Sequence, residues 1–490
     1  AARGAGGHFV AVVCEEAAGR LRLFQDGFPG LQTLYTAEQG GCLLFSDRMG
    51  PLLRAAPGLA GALDDAALYQ YLARSYISAP RTIFAGIRQV EGGEVVEAAD
   101  GKVARHDHSP WRFPAGRLDD EAVALERYEA ALREAVHGFQ ADGPAVFLLS
   151  GGLDSSLNVA LGSEHETAPL TTLCTGAPRY TSDAQFAREV ASRYGTRHQE
   201  HLFDGSEVEA LPQIVWEMEN PYFEPGVMLS WVTLANAARH AGAVVGADLC
   251  DQIFGSCIDL ALRRHAARQR FAGRGEDVRR LVRLVCQGER GRGVVLLEKV
   301  YARLLGSTDL NNWCSVYGLM RSRLLRLLRR PLPFSGPFDD GGGPEGGLEA
   351  LLEFGCTGPN RDYALNALLI KTGRLADRFG LAYRTPFADR RVFDLVLSLA
   401  HPLRNRVQEG PPRQFVRKYL HRQLARRLLG PGIVDRPKQG GAISPRVHFE
   451  DPDRAALIRR AVLESEPLNA LCRPPALAAL FAGPRPNATH

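Results

Sequence analysis

The chain has 490 residues, with 59 Lys+Arg against 55 Asp+Glu and a formal net charge of +4. Hydrophobic residues at 45% and charged residues at 23% exclude wholesale disorder, and at ~150 residues per domain the length implies two or three domains. No run of 18 apolar residues occurs, the opening AARGAGGHFV lacks a basic-then-apolar leader, and no basic stripe is interleaved with aromatics. The expectation is therefore a cytoplasmic protein with no membrane span, no secretory signal and no nucleic-acid partner. Nine cysteines without a CxxC pair read as dispersed reduced thiols. Only five of the 59 basic residues are lysine: Lys102, Lys299, Lys371, Lys418 and Lys438. In a chain that uses Arg so freely, these mark candidate sites for a compact ammonium.

In chain order, HFVAVVCEE, RLRLFQD, CLLFSD and GEVVEA have period-two or apolar-run character, with GFPG, EQGG and EGG as turns between them. A helix around DDAALYQYLARSY interrupts this strand-rich module, which occupies residues 1–110. A Pro-containing linker, DHSPWRFPAGRLD, leads to a helix over 120–138. PAVFLLS, PLTTLCTG, TRHQEHLFD and AGAVVGAD then read as strands alternating with helices, which predicts an α/β fold with a parallel sheet covered on both faces. Past 260 the pattern is Arg/Leu-rich and helical, broken by a Gly-rich linker over 335–347. Helices are expected over 362–379, 391–399 and 413–429, followed by a Pro-rich stretch with helical pieces and a tail from 471.

The strongest chemical signal is Ser150-Gly151-Gly152-Leu153-Asp154-Ser155-Ser156, which follows one strand and opens a helix. Paired glycines let backbone approach an anion, and a helix N-terminus offers free N–H groups. A carboxylate in such a loop makes sense beside phosphates when a divalent cation bridges them. The run lacks the lysine of the Walker pattern and matches an SGGxDS pyrophosphate loop. A second carboxylate is expected from the loop Ala247-Asp248-Leu249-Cys250-Asp251 after another strand, because C-terminal strand ends of a parallel sheet share one crevice.

These residues resemble the asparagine synthetase family, which includes β-lactam synthetases and lasso-peptide macrolactam cyclases. ADLCDQIFG stands where the family has a loop of the form GDGGDELFG. LLIKTGRLADRFGLAYRTPFADRRV (368–392) follows the form LLVKTDRMSMAHGLEVRVPFLDHRL, and RPKQGGAISP (436–445) follows RPKxGFGVP. The resemblance implies an ATP pyrophosphatase synthetase domain over 120–470, with a helical C-terminal part. It also implies that the N-terminal module is a partial glutaminase of the N-terminal-nucleophile type.

That module begins with Ala1, and Cys14 lies within a strand, so the expectation is no glutaminase activity of its own. A shortened chain and a degenerate module are both open.

The activity implied is ATP-dependent amide formation through an acyl-adenylate, releasing AMP and pyrophosphate, with ATP and Mg2+ required. Ser150, Gly151, Gly152, Ser155 and Lys371 would bind the phosphates, Leu148 and Leu173 would flank adenine, and Asp154 and Asp251 would hold Mg2+. Lys438 would stabilise developing charge, and Asp248 would orient or deprotonate the amine. Ala247, Leu249 and Cys250 replace glycines of the family form, Gly373 replaces the aspartate after KT, and Ala382 replaces the glutamate of LEVRVPF. These departures imply a substrate other than aspartate: a small-molecule or peptide carboxylate and amine, with lactam or macrolactam formation in natural-product biosynthesis as one outcome. Glutamine-dependent asparagine synthesis and a non-catalytic nucleotide-binding homologue are the alternatives. A homodimer or a substrate-delivering partner protein is left open.

Overall fold

The computed structural model describes residues 8–141, 143–164, 168–176, 183–203, 205–224, 226–255, 321–333, 348–408, 414–435 and 449–482. Lys438, its RPKQGGAISP segment, the expected linker over 335–347 and the first Arg/Leu-rich helices lie outside the described residues.

The N-terminal part holds two antiparallel sheets. One has the order β1-β2-β6-β7, from β1 (Val10–Glu15), β2 (Arg20–Gln25), β6 (Glu94–Ala99) and β7 (Lys102–Asp107). The other has the order β4-β3-β5, from β3 (Tyr35–Gln39), β4 (Cys42–Ser46) and β5 (Ile87–Gln89). Alternation places Leu23 and Val96 inside, where they meet Leu34 and Val90. Cys14 sits mid-strand opposite Leu21 and is exposed.

Next comes a five-stranded, wholly parallel sheet of order β10-β9-β8-β11-β12. Its strands are β8 (Ala145–Leu148), β9 (Thr171–Gly176), β10 (Arg197–Leu202), β11 (Ala243–Val245) and β12 (Ala382–Arg384). The apolar run of β8 is central, with Val146 pairing Thr171 on one side and Val244 on the other. Helices Glu121–Ala141 and Leu153–Ser163 pack with Arg390–Ser398 and Tyr419–Leu429 around a core that includes Tyr128, Leu132, Phe147, Leu161, Phe393 and Leu424. No described helix is long and apolar enough to cross a membrane.

Two expectations need correction. The stretch read as a helix over 413–429 is a hairpin strand, β14 (Gln414–Arg417), paired antiparallel with β13 (Asn405–Gln408); the helix begins only at Tyr419. Lys418 makes the break with a left-handed φ of 52°, a conformation that helix periodicity cannot report. The segment assigned to a tail from 471 contains helix Pro474–Ala479, whose Leu477 is buried in a cluster with Tyr69 and Leu324.

The N-terminal part docks onto helix Ile370–Arg378. Phe28 and Trp111 make edge contacts with Phe393 at 5.1 and 4.9 Å, which joins the two parts in one core. Arg374, 2% exposed, donates to the Tyr35 hydroxyl at 3.1 Å and the Asp47 carbonyl at 3.0 Å. Beside it, a Cβ on Gly373 would sit 2.3 Å from the Gly30 carbonyl oxygen and 3.0 Å from the Leu31 Cα. Gly373 is therefore glycine because another stretch of backbone fills the space a side chain would need. The departure from the family aspartate belongs to this seam, and Gly373 does not line the cleft described below.

Gly373→Asp, which restores the family residue, is expected to destabilise the chain by at least the ~1–3 kcal/mol of ordinary overpacking. Denaturant unfolding of the full chain checks this, and unchanged stability would mean that the two parts do not meet through these backbones.

Candidate active site

The sheet order reverses direction at the β8/β11 boundary, and in open α/β sheets ligands bind at such a point, outside the C-terminal strand ends. A cleft of about 440 Å3 lies there. Its walls include Leu148, Ser150, Gly152, Asp154 and Ser155 from the loop after β8, Leu173 from β9, and Asp248 and Asp251 from the loop after β11. Thr372, Tyr383 and Lys418 complete its walls.

The SGGLDSS run folds as its composition requires. Gly151 takes φ 67° at the turn, and a Cβ there would meet the Ala187 backbone nitrogen at 2.6 Å. The Ser150 hydroxyl accepts from Gly152 N–H at 3.2 Å and lies 3.1 Å from the Ser155 hydroxyl. Helix Leu153–Ser163 follows Gly152 as its N-cap, with no side-chain cap to compete for the first N–H groups.

Asp154 and Asp251 reach the same group, the buried ammonium of Lys418. Nζ lies 2.6 and 2.7 Å from the two Asp154 oxygens and 2.8 Å from Asp251 Oδ1. Burial by itself would lower the Lys418 pKa, but Asp154, with Cys250 and Asp251 adding, drives it well above the ordinary lysine value. Desolvation likewise opposes ionisation of Asp154, and Lys418 and His421 overcome it, holding the carboxyl far below the usual range. Behind Asp154, the fully buried His421 places Nε2 3.0 Å from Oδ1 and Nδ1 2.7 Å from the Tyr128 hydroxyl. Burial pushes the His421 pKa down, which favours a neutral ring.

Asp248 is held differently. Its Oδ2 accepts from the Thr372 hydroxyl and from the Tyr383 hydroxyl, both at 2.8 Å, and its carbonyl accepts from Thr385 at 2.8 Å. The adjoining Leu249 is buried with φ 79°, so the loop keeps a left-handed turn after losing the family glycine. A non-glycine residue held there carries backbone strain, which concentrates at functional sites.

Of the expected site residues, the structure brings Leu148, Ser150, Gly152, Asp154, Ser155, Leu173, Asp248 and Asp251 to one cleft. Gly151 shapes the loop from behind. Lys371 is not on the cleft wall, because its ammonium is turned to Glu224 at 2.8 Å. Ala382, read as a substrate-side departure, is exposed on the edge strand, and the wall residue is its neighbour Tyr383. Sequence reasoning missed His421, Thr372 and Tyr383, and marked Lys418 only as one of five candidate ammonium sites without a role. The signals available were the scarcity of lysine and a tyrosine where LEVRVPF has valine.

Residues 127–489 match the family model described as asparagine synthase, and residues 2–111 match that of a glutamine amidotransferase domain. The chain belongs to the asparagine synthase family. Membership identifies an ATP-dependent, AMP-forming amide ligase with the ATP pyrophosphatase fold. Asparagine synthetase [glutamine-hydrolyzing] 1 of Bacillus subtilis is 20% identical over 448 residues, spanning 89% of this chain and 68% of that protein. A putative asparagine synthetase of Mycobacterium bovis is 28% identical over 235 residues, covering 46% of this chain and 36% of its own length. Asparagine synthetase B of Escherichia coli is 25% identical over 201 residues, 38% of this chain and 35% of that protein. This chain thus spans about a third of the latter two relatives.

Family members generally use ATP with Mg2+. The donor set fits a hard cation: two carboxylates, Asp154 and Asp251, from two strand ends at one cleft. Those two residues would hold it beside Lys418, and the cation would supply positive charge to phosphates.

Lys418→Met leaves two carboxylates facing one another and is expected to cost about 3–5 kcal/mol of stability. Adding Asp154→Asn to Lys418→Met should restore a large part of that loss in a double-mutant cycle read by denaturant unfolding. Strict additivity of the two changes would show that the pair does not interact.

Proposed function

We propose that this cleft binds ATP and activates a substrate carboxylate, and that the acyl group passes to an amine carried by a small molecule or peptide, forming an intramolecular lactam or macrolactam. The observation that carries the ATP part is the meeting of the SGGLDSS loop, Asp154, Asp251 and Lys418 at the switch point.

In the first step a carboxylate oxygen attacks the α-phosphorus, the bond to the β-phosphate bridging oxygen breaks, and pyrophosphate leaves. The Ser150–Ser155 loop and the open helix terminus would receive the leaving phosphates, with Lys418 fixing the two aspartates so that the charge pattern needs no rearrangement. Leu148 and Leu173 offer apolar surface to a base. In the second step the amine nitrogen bonds to the acyl carbon, the bond to AMP breaks, and the amine proton passes to Asp248. The substrate-side departures Leu249 and Cys250 adjoin Asp248 and support an acceptor other than that of the asparagine synthetases. Lys438 would meet charge developing at the tetrahedral centre, a role proposed from its motif.

Positional isotope exchange in ATP labelled at the α–β bridge, run with a panel of free amino acids and carboxylate-bearing peptides, tests the reaction. Exchange together with AMP and pyrophosphate is expected, and stoichiometric ADP would overturn the reading. A second reading, favoured by the names of the relatives, is asparagine synthesis. Asparagine formed from aspartate with ammonium or glutamine would establish it in place of lactam formation.

Lys438→Ala is expected to lower turnover by about 10²–10³, or ~3–4 kcal/mol, with little change in melting temperature. Lys438→Arg should rescue poorly, because a planar fork does not replace a point charge. Full turnover in Lys438→Arg would remove the specific role.

A further inference from the structure

Cys250 stands where the family form has a glycine, and the fold puts its thiol beside two further metal-binding groups. One atom each from Asp154, Cys250 and His421 lies within 4.8 Å of the other two: a carboxylate oxygen, the thiol sulfur and an imidazole nitrogen. Three elements deliver them. Asp154 is in the first turn of helix Leu153–Ser163, Cys250 opens helix Cys250–Phe254, and His421 is in the first turn of helix Tyr419–Leu429. The group lies on the inner side of Asp154. Cys250 and His421 are fully buried, whereas the Asp154 side chain is 21% exposed and lines the cleft.

The His421 ring is held for such a role. Edge contacts with Tyr128 and Phe387, at centroid distances of 6.0 and 5.8 Å, fix its plane. Nδ1 lies 2.7 Å from the Tyr128 hydroxyl. In the tautomer whose Nδ1–H donates to that hydroxyl, Nε2 keeps its lone pair, which is how outer partners orient a metal-bound imidazole. Nε2 is 3.0 Å from Asp154 Oδ1 but makes no aligned hydrogen bond, and it has no other hydrogen-bond partner among the described residues. A buried polar atom left this way carries a desolvation cost that a ligand removes.

The donor chemistry separates this group from the Mg2+ position formed by Asp154 and Asp251. Mg2+ favours oxygen alone, whereas a sulfur and an imidazole nitrogen suit zinc-like ions. Bonds of about 2.0–2.3 Å mean that small side-chain movements bring the three ligands around one ion. Charge favours it too. Asp154 and Asp251 together face one ammonium, that of Lys418, so a divalent ion that replaces the thiol proton brings the group to neutrality. Lys418 can stay in place, because it also holds Asp154 Oδ2 at 2.7 Å and Asp251 Oδ1 at 2.8 Å.

We infer that Asp154, Cys250 and His421 form a second metal site, for Zn2+ or another thiophilic divalent ion, and that its occupation weakens Mg2+–nucleotide binding in the cleft. As the sulfur–metal bond forms, the thiol proton leaves to solvent. The coupling follows from one shared side chain. An ion on Oδ1 sets a positive charge behind the carboxylate that would hold Mg2+, and two divalent cations compete for it. The coupling rests on the nucleotide-binding reading above, whereas the metal site itself does not.

Co2+ is a spectroscopic stand-in for Zn2+, because a thiolate–cobalt bond absorbs in the near ultraviolet. Metal-free full-length chain titrated with CoCl2 should develop this charge-transfer band with one equivalent bound, and ZnCl2 should bleach it. Cys250→Ser should abolish the band, and Cys250→Gly, which restores the family residue, repeats that test in a second background. Tyr128→Phe, which keeps all three ligands, should weaken cobalt binding by about 10–100-fold, and His421→Leu by more. No band in wild type, or a full band in both Cys250 variants, would overturn the site. Affinity for Mg2+ with α,β-methylene-ATP is then measured by calorimetry with and without one equivalent of ZnCl2. Zn2+ should lower it about tenfold in wild type and leave Cys250→Ser unaffected. An equal loss in both, or no loss in wild type, would overturn the coupling. The cobalt band requires neither nucleotide nor turnover, so its failure is distinguishable from failure of the amide-forming reading.

Discussion

Two carboxylates, delivered by loops after different strands, converge on the Lys418 ammonium, and the geometry of the cleft follows from that convergence. Without a cation, Asp154 and Asp251 would repel each other across a partly desolvated space, and the loops carrying them would separate. With Lys418 between them they are held ionised and close. The chain reaches this arrangement at a local cost. Lys418 is forced into a left-handed backbone conformation between a hairpin strand and a helix, and His421, one turn further along, supports Asp154 from the buried side. Hairpin, break and helix together act as a bracket that carries the ammonium to the switch point of the sheet.

Helix Ile370–Arg378 links this cleft to the rest of the molecule. Four consecutive residues serve five neighbours: Lys371 pairs with Glu224, Thr372 bonds Asp248, Gly373 admits the Gly30 backbone, and Arg374 bonds Tyr35 and Asp47. A helix in contact on so many sides has little freedom to shift. The N-terminal part therefore braces the helix that sets the Asp248 carboxylate, a role in the synthetase cleft separate from any chemistry at Cys14.

The motif departures divide by location once the fold is known. Gly373 answers to the seam with the N-terminal part and Ala382 to an exposed edge, while Leu249 and Cys250 lie in the loop that carries Asp248 and Asp251. Tyr383, unremarked in the sequence, and Ala247, which replaces a family glycine, both reach the cleft. Adjacent positions in a strand or helix point in different directions, so a one-residue difference separates a wall residue from a bystander.

Sequence alone determined the local, periodic and contiguous features: the apolar run of β8, the helix that follows it, the glycine turn in SGGLDSS, and the alternation that demands a parallel sheet. Such features depend on neighbours a few residues apart, and those neighbours are written side by side. It also marked Asp154, Asp248 and Asp251 as chemistry-bearing, because each lies in a motif at a strand end. Tertiary structure decided which partners those carboxylates have. Lys418 is 264 residues from Asp154 along the chain, and Tyr383 is 135 from Asp248. Such pairings arise from the order of strands in the sheet and from a left-handed break that no periodicity encodes. The same long-range packing turned Lys371 toward Glu224 and off the cleft wall. Electrostatic attraction acts through space, so the residue types could be read in advance, but their pairing was fixed only when the fold brought them within hydrogen-bond distance.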